Sequence, residues 1–316
     1  MFESQPIFAP LPTHPSCHCA TIVETPCGDL LAAWYAGAYE TAPDQAIFCA
    51  RRSLGATSWT PPEVLLDTPG HADGQPLLFV DPRGRLWFLW VTIEGPGRWN
   101  DASIMGRFST DDGHTWSEMR YLRREWGWMI RNKPIILDTG EILLPLYDER
   151  QWHTVMGISA DAGESWEFGG EIITHPGNIQ ATVIQRADGT LLALMRTGGT
   201  RGHLWQATST DRGRSWSRAV RGPFPNPNSG IDMVRLANGH LVLAFNNTPQ
   251  GRTPLNVALS TDEGRTWPVV RALETSLGEY SYPAIIQARD GMIHLVYTWR
   301  RETIRHVAFD EAWLQG

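Results

Sequence analysis

An eight-residue pattern, Ser-x-Asp-x-Gly-x-x-Trp, occurs four times in this chain at nearly constant spacing, and it narrows the possible folds more than anything else in the sequence. It runs Ser109-Thr110-Asp111-Asp112-Gly113-His114-Thr115-Trp116 and returns as Ser159 to Trp166, Ser209 to Trp216 and Ser260 to Trp267, with steps of 50, 50 and 51 residues. A degenerate copy, Ser53 to Trp59, lacks the Asp and is one residue shorter. The pattern reads as a tight hairpin turn. The Asp side chain can satisfy turn amides, the Gly permits positive φ, and the Trp can pack back between neighbouring sheets. One copy would say little, but four in register imply a repeated supersecondary unit.

A second repeat runs in phase with the first. Turn glycines Gly28, Gly84, Gly140, Gly189, Gly239 and Gly291 each precede a short apolar run, from Leu30–Trp34 in the first unit to Ile293–Tyr297 in the sixth. No long window shows helical periodicity. Six units of about 50 residues predict an all-β fold, a six-bladed β-propeller of four-stranded blades. A solenoid would need capping units, and none is evident. The sixth unit ends after one more strand-like run, Ile304 to Phe309, so an N-terminal strand around Pro6 to Ala9 is expected to complete it. No linker or low-complexity stretch interrupts the pattern, which reads as one domain over residues 1–316.

Composition bears on partners. A net charge of -7 and a pI near 5.8 argue against a nucleic-acid surface, which needs a basic stripe. A few local arginines can still bind an acidic sugar. Of the 15 tryptophans, four belong to the turn motif, which leaves others free to stack on sugar rings. No stretch approaches the ~18 apolar residues of a membrane span, and Met1 to Pro12 has no signal-peptide pattern. Cys17, Cys19, Cys27 and Cys49 cluster in the first fifth of the chain, which suggests reduced thiols and a cytoplasmic setting. His14, Cys17, His18 and Cys19 match no common zinc spacing, so no metal is expected. No nucleotide, flavin or haem motif is present, and no organic cofactor is expected. Oligomeric state is not legible.

The turn motif is the Asp-box, and the whole chain resembles the sialidase-like (BNR/Asp-box repeat) superfamily. That resemblance implies a catalytic face where the innermost strands begin and the next strands end, away from the Asp-boxes. It implies three arginines for a substrate carboxylate, a Tyr nucleophile paired with a Glu, and an Asp acid. Counting from the turn glycines, Arg196 falls on one family arginine and Gln180 on the catalytic-pair Glu. The Tyr-Ser dipeptide selects Tyr280, whereas counting back from Gly291 selects Tyr282. The family's leading Arg corresponds to His18, and the Glu that orients it corresponds to Thr298, so the two losses agree. A third arginine has no obvious counterpart. A Gln cannot act as the base that activates Tyr, so the substrate must be argued afresh.

Polar residues at the same structural positions make up the candidate site. Strand starts offer His18, Arg131, Asn132, Lys133, Gln180, Asp232, and Tyr280 or Tyr282. Strand ends offer Tyr39, Glu40, Asp148, Glu149, Arg150, Arg196, Asn246, Asn247, Arg300 and Arg301, with Trp152, His153 and Trp299 nearby. Asp44 lies in the loop where the superfamily often carries its acid. Simpler roles exist for several. Asp148-Glu149-Arg150 could form its own surface ion pair, His18 could be a buried core histidine, and either Tyr could simply pack. Arg300 and Arg301, read as alternating on a strand, would send one side chain inward.

Three functions fit these residues. Glycoside hydrolysis would use Glu40, Asp44 and Glu149, with Arg131 and Arg196 gripping an acidic group bidentately. β-Elimination at a uronic acid would use an arginine for the carboxylate, with His18 and a Tyr as base and acid. A glycan-binding propeller would need no pair of titratable groups at all.

Overall fold

The computed structural model describes residues 1–199 and 202–316. Six antiparallel sheets stand in a ring, with the innermost strands packed on one another around the axis. Those strands are Ser16–Glu24, Asp73–Val80, Trp128–Ile130 continued by Ile135–Ile136, Asn178–Gln185, Asp232–Arg235 and Tyr280–Gln287, for blades 1 to 6. The fold is the expected six-bladed β-propeller.

Both faces of each blade are covered by its neighbours, which is why the strands read as continuous apolar runs instead of alternating ones. The core accordingly divides into six apolar clusters, one at each blade–blade junction. Each Asp-box tryptophan packs on the junction with the preceding blade: Trp116, Trp166, Trp216 and Trp267. Within the turn, Ser109 Oγ accepts from Gly113 N at 2.8 Å. Asp111 accepts from both the amide and the hydroxyl of Thr115, at 2.8 and 2.6 Å. The other three copies repeat this geometry, and these bonds hold Asp161, Asp211 and Asp262 at about 2.

The ring closes on Phe2–Pro6, which pairs antiparallel with Thr303–Phe309. The expected position, Pro6 to Ala9, is a few residues late. Ile7 N still donates to Ile304 O at 2.8 Å, and Ile7 and Phe8 are buried between blades 6 and 1, where Phe8 stacks on Trp34 at 4.6 Å.

Four innermost strands share one irregularity. Their pairing register slips just after the strand starts, and one residue there takes a left-handed backbone: Cys19 (φ 56°), Gln75 (φ 48°), Gln180 (φ 54°) and Tyr282 (φ 54°). A non-glycine residue in that region costs roughly 1–2 kcal/mol. Each stands nine positions ahead of its turn glycine: Gly28, Gly84, Gly189 and Gly291. Counted the same way from Gly140 and Gly239, blades 3 and 5 contribute Arg131, at the break in the split strand, and Gly230.

Candidate active site

These six equivalent positions form a ring at the base of the funnel. Cys19 Sγ donates to Gln75 Oε1 at 2.8 Å, and Gln180 Nε2 lies 3.4 Å from Tyr282 Oη. Blades 3 and 6 stand opposite each other, so residues linking them meet on the axis. Arg131 does this: its Nη2 donates to the Pro283 carbonyl at 2.9 Å, and its guanidinium lies 5.3 Å from the Tyr282 ring centre. Gly230 leaves space for the pairing of Gln180 and Tyr282. A Cβ there would come within 3.2 Å of Gln180 Oε1 and 3.5 Å of the tyrosine ring.

Tyr282 is therefore the funnel tyrosine. Arg196 Nη1 donates to its hydroxyl at 2.6 Å and to Gln180 Oε1 at 2.9 Å. Arg196 Nε donates to Asn228 at 2.6 Å, and Trp152 lies 5.9 Å from the same guanidinium. Tyr280, the alternative, is buried in the cluster between blades 5 and 6 beside Trp299 and faces away from the funnel. Tyr-Ser-Tyr straddles a bulge, which reverses the facing expected from simple alternation.

His18 is buried against the Tyr282 ring, 4.2 Å between centroids, and its Nδ1 is 2.8 Å from Thr298 Oγ1. The paired substitution noted in the sequence is thus a direct contact. Burial, reinforced by Arg301, Arg252, Arg131 and Arg196, pushes its pKa well below 6.5. His18 is neutral and a weak base.

Sequence reasoning missed a third guanidinium, Arg252, 5.4 Å from the Tyr282 ring. It lies in the irregular loop after Leu241–Asn246, where no period could locate it. Glu279, also missed, accepts from Arg252 at 2.6 Å and from Arg301 at 3.1 Å. Burial opposes ionisation of Glu279, but Arg252 and Arg301 outweigh it and hold its pKa below the usual carboxylate value. Arg301 also donates to Glu40 at 2.6 Å, and Glu40 accepts from Trp99 Nε1 at 3.1 Å.

Arg300 and Arg301 do not alternate on a strand. They are the two central residues of a hairpin turn, with φ of 56° and 61°, closed by Glu302 N to Trp299 O at 3.0 Å. Only Arg301 reaches the carboxylates, while Arg300 lies exposed over Trp299. Both positions favour Gly or Asn. Arg300→Gly should therefore stabilise the protein by roughly 0.5–1 kcal/mol in urea unfolding and leave ligand affinity unchanged.

Glu149 and Trp99 line one cleft of about 380 Å³ with Thr41, Gly97, Arg98 and Asn100. Burial raises the Glu149 pKa to about 7; Arg196 opposes this, and Asp148 and Glu40 add to it. Its neighbours do form a local ion pair, Asp148 with Arg150 at 3.2 Å, which leaves Glu149 out. Asp44 is exposed and turns both carboxylate oxygens onto the Ala38 amide at 3.2 Å, so in this conformation it caps its own loop. His153 is buried, with Nε2 3.9 Å from Glu171 on the next strand outward, and does not join the Tyr282 cluster.

Asn132 turns its amide nitrogen onto blade 5. Its amide nitrogen donates to Ile231 O at 2.6 Å and to Asp232 at 3.1 Å. Asp232 also accepts from Lys133 at 2.5 Å, Thr182 at 3.1 Å and Ile285 N at 2.9 Å, joining blades 3 to 6 around the axis. Among the described residues, no group of three or more His, Cys, Asp or Glu is placed to hold a metal ion.

Residues 28–295 match the family model described as BNR repeat-like domain. The anhydrosialidase of Macrobdella decora is 25% identical over 231 residues, 63% of this chain and 30% of that protein. The sialidase of Micromonospora viridifaciens is 26% identical over 236 residues, 66% of this chain and 35% of that protein. The chain thus spans about a third of the length of these curated relatives. Among solved structures, the Hadza microbial sialidase Hz136 superposes with a TM-score of 0.81 at 21% identity, covering 96% of this chain and 67% of its own. A Dyadobacter fermentans protein of unknown function gives 0.82 at 17% identity over 97% of both chains. These likenesses establish the fold, and the family match covers most of the chain: the protein belongs to the BNR repeat-like domain family and has a sialidase-like propeller.

Proposed function

We propose that this propeller is a glycoside hydrolase acting on an acidic sugar. The observation that carries the reading is Glu149, a carboxyl raised to about 7 by burial, within electrostatic reach of Arg196. A group poised near neutrality can protonate a departing glycosidic oxygen. Glu40, ion-paired with Arg301 and bonded to Trp99 of the same cleft, is the second carboxylate that such a reaction needs. The guanidiniums around Tyr282 suit a carboxylate on the sugar. Two curated relatives bear the names anhydrosialidase and sialidase, which supports the same class.

Tyr282 has an orienting role in this scheme. Its hydroxyl accepts from Arg196 and Gln180, and an amide cannot remove its proton. Elimination at a uronate fits less well, because the pKa of His18, its required base, is driven down by burial and four arginines.

The purified protein should be incubated with a sialoside and with uronic-acid-capped oligosaccharides, following released reducing sugar and ultraviolet absorbance. Reducing sugar without new absorbance is the expected result. An unsaturated, absorbing product would overturn hydrolysis in favour of elimination. Binding without any turnover would make the propeller a glycan receptor.

A further inference from the structure

The degenerate Asp-box lies over an equally irregular position. In blades 3, 4 and 5 the glycine of the motif presses on the second strand of the preceding blade. A Cβ on Gly163, Gly213 or Gly264 would come within 3.1 Å of Trp87, 2.5 Å of Leu143 or 2.6 Å of Leu192. Each of these partners stands three residues after its turn glycine, and the same count gives Leu31, Val242 and, in blade 6, His294. The copy due to cover His294 is the short one of blade 1, Ser53 to Trp59. A Cβ on its glycine, Gly55, would meet nothing within 4 Å. A cleft of about 510 Å³ opens there instead, between blades 6 and 1. It lies at the far end of the propeller from the funnel. Glu24, on its wall, ends the inner strand that carries His18 near its start, so roughly 20 Å separate the two sites.

Several polar atoms on the wall are left open. Arg52 Nε donates to Ala56 O at 2.6 Å, but its buried Nη1 has no hydrogen-bond partner, and Glu3 comes only to 3.9 Å from Nη2. His294 is buried, and that burial holds its pKa below 6.5 despite the nearby Asp290 carboxylate. Its Nδ1 is 3.0 Å from His306 Nε2, while its own Nε2 has no hydrogen-bond partner among the described residues. Whichever of the two rings donates, that free nitrogen remains to donate or to accept. Arg289 and Glu24 satisfy each other at 3.1 Å. Asp290 takes the Met292 amide on one carboxylate oxygen at 2.9 Å and leaves the other open.

The charges on this wall cancel: Arg52 and Arg289 against Glu24 and Asp290. The cleft therefore has no preference for an ion of either sign. It offers a donor, a nitrogen that can play either part, and an acceptor, beside the apolar side chains of Leu30, Leu54 and Ala288. A hydroxyl both donates and accepts, so it can meet all three, and a sugar ring carries several hydroxyls together with apolar C–H faces. The volume lies in the range of small-molecule sites. We propose that the cleft is a second carbohydrate site, which takes a neutral sugar residue on the face opposite the funnel. The proposal stands on this wall alone, so it and the reaction proposed for the funnel can fail separately.

The neutral probes are the methyl glycosides of glucose, galactose, mannose and N-acetylglucosamine, with the methyl glycoside of glucuronate as the acid. Calorimetry gives affinity, and the imidazole NMR signals report location. At least one neutral probe should bind with a Kd on the order of millimolar, shift the His294 and His306 signals and leave that of His18 in place. The acid should shift His294 less than the glucoside does. His294→Leu restores the residue type of the other blades, and Arg52→Met removes the open donor. Each should weaken the neutral probe by about tenfold. If His294→Leu does not fold, Arg52→Met and the wild-type signals still decide. No shift of His294 with any neutral probe at roughly a hundred times the expected Kd would overturn the proposal. So would a larger shift with the acid than with the glucoside, or an affinity unchanged in the folded variants.

Discussion

Glu149→Gln should lower kcat on the cleaved acidic glycoside by about 10²–10⁴-fold, the range for losing a general acid. Affinity for the intact substrate should change little, because Gln keeps the shape and the neutral charge of the protonated acid. The pH dependence follows from the same burial. The acid must be protonated to act, so wild-type kcat/KM should fall as pH rises through about 7. Stability should move in the same direction. The folded pKa of Glu149 lies above its ordinary value of 4.5, so the folded state binds the extra proton between these limits. The stabilisation is complete below about 4.5 and is lost as pH rises through about 7. Glu149→Gln, which cannot ionise, should therefore match wild type in Tm near pH 4.5 and exceed it at pH 8. A loss of activity with an unchanged alkaline limb would remove Glu149 from the acid's role and return the question to Glu40 and Asp44.

The architecture was legible because it is periodic. Each Asp-box is a local device, closed by hydrogen bonds within eight residues, and its spacing reports the size of a blade without reference to the rest of the chain. The site is legible only in part, because it is built where the period breaks. A left-handed residue near the start of an inner strand reverses which side chain meets the axis, so the Tyr-Ser dipeptide pointed to Tyr280 while the distance from Gly291 pointed to Tyr282. The count from the glycine reaches Tyr282 because it spans the bulge alike in the four blades that have one. Arg252 and Glu279 lie in loops whose length differs from blade to blade, and no count reaches them. Asn132 has the composition of a sugar ligand, but which way it bonds depends on Ile231 and Asp232, about a hundred residues away in sequence.

Those long-range bonds lead to the largest expected effect on stability. Asp232 is buried, and its two oxygens accept from Asn132, Lys133, Thr182 and the Ile285 amide. It thus joins the inner strands of four blades at a point where the sheets do not hydrogen-bond one another. Removing it takes an acceptor from three neutral donors and the counter-ion from one cation. Burial already lowers the Lys133 pKa, and Asp232 opposes that shift; without Asp232 the ammonium would have no counter-ion in its surroundings. Asp232→Ala should cost about 3–5 kcal/mol, a large share of the 5–15 kcal/mol that usually separates folded from unfolded chains. Urea unfolding would show this as a lower midpoint. The double variant Asp232→Ala with Lys133→Met should recover more than half of the loss, since the stranded charge goes with its partner. Recovery of nothing would mean that the neutral bonds to Asn132, Thr182 and Ile285, not the ion pair, tie the blades together. A single variant as stable as wild type would mean that junction packing alone holds the ring closed.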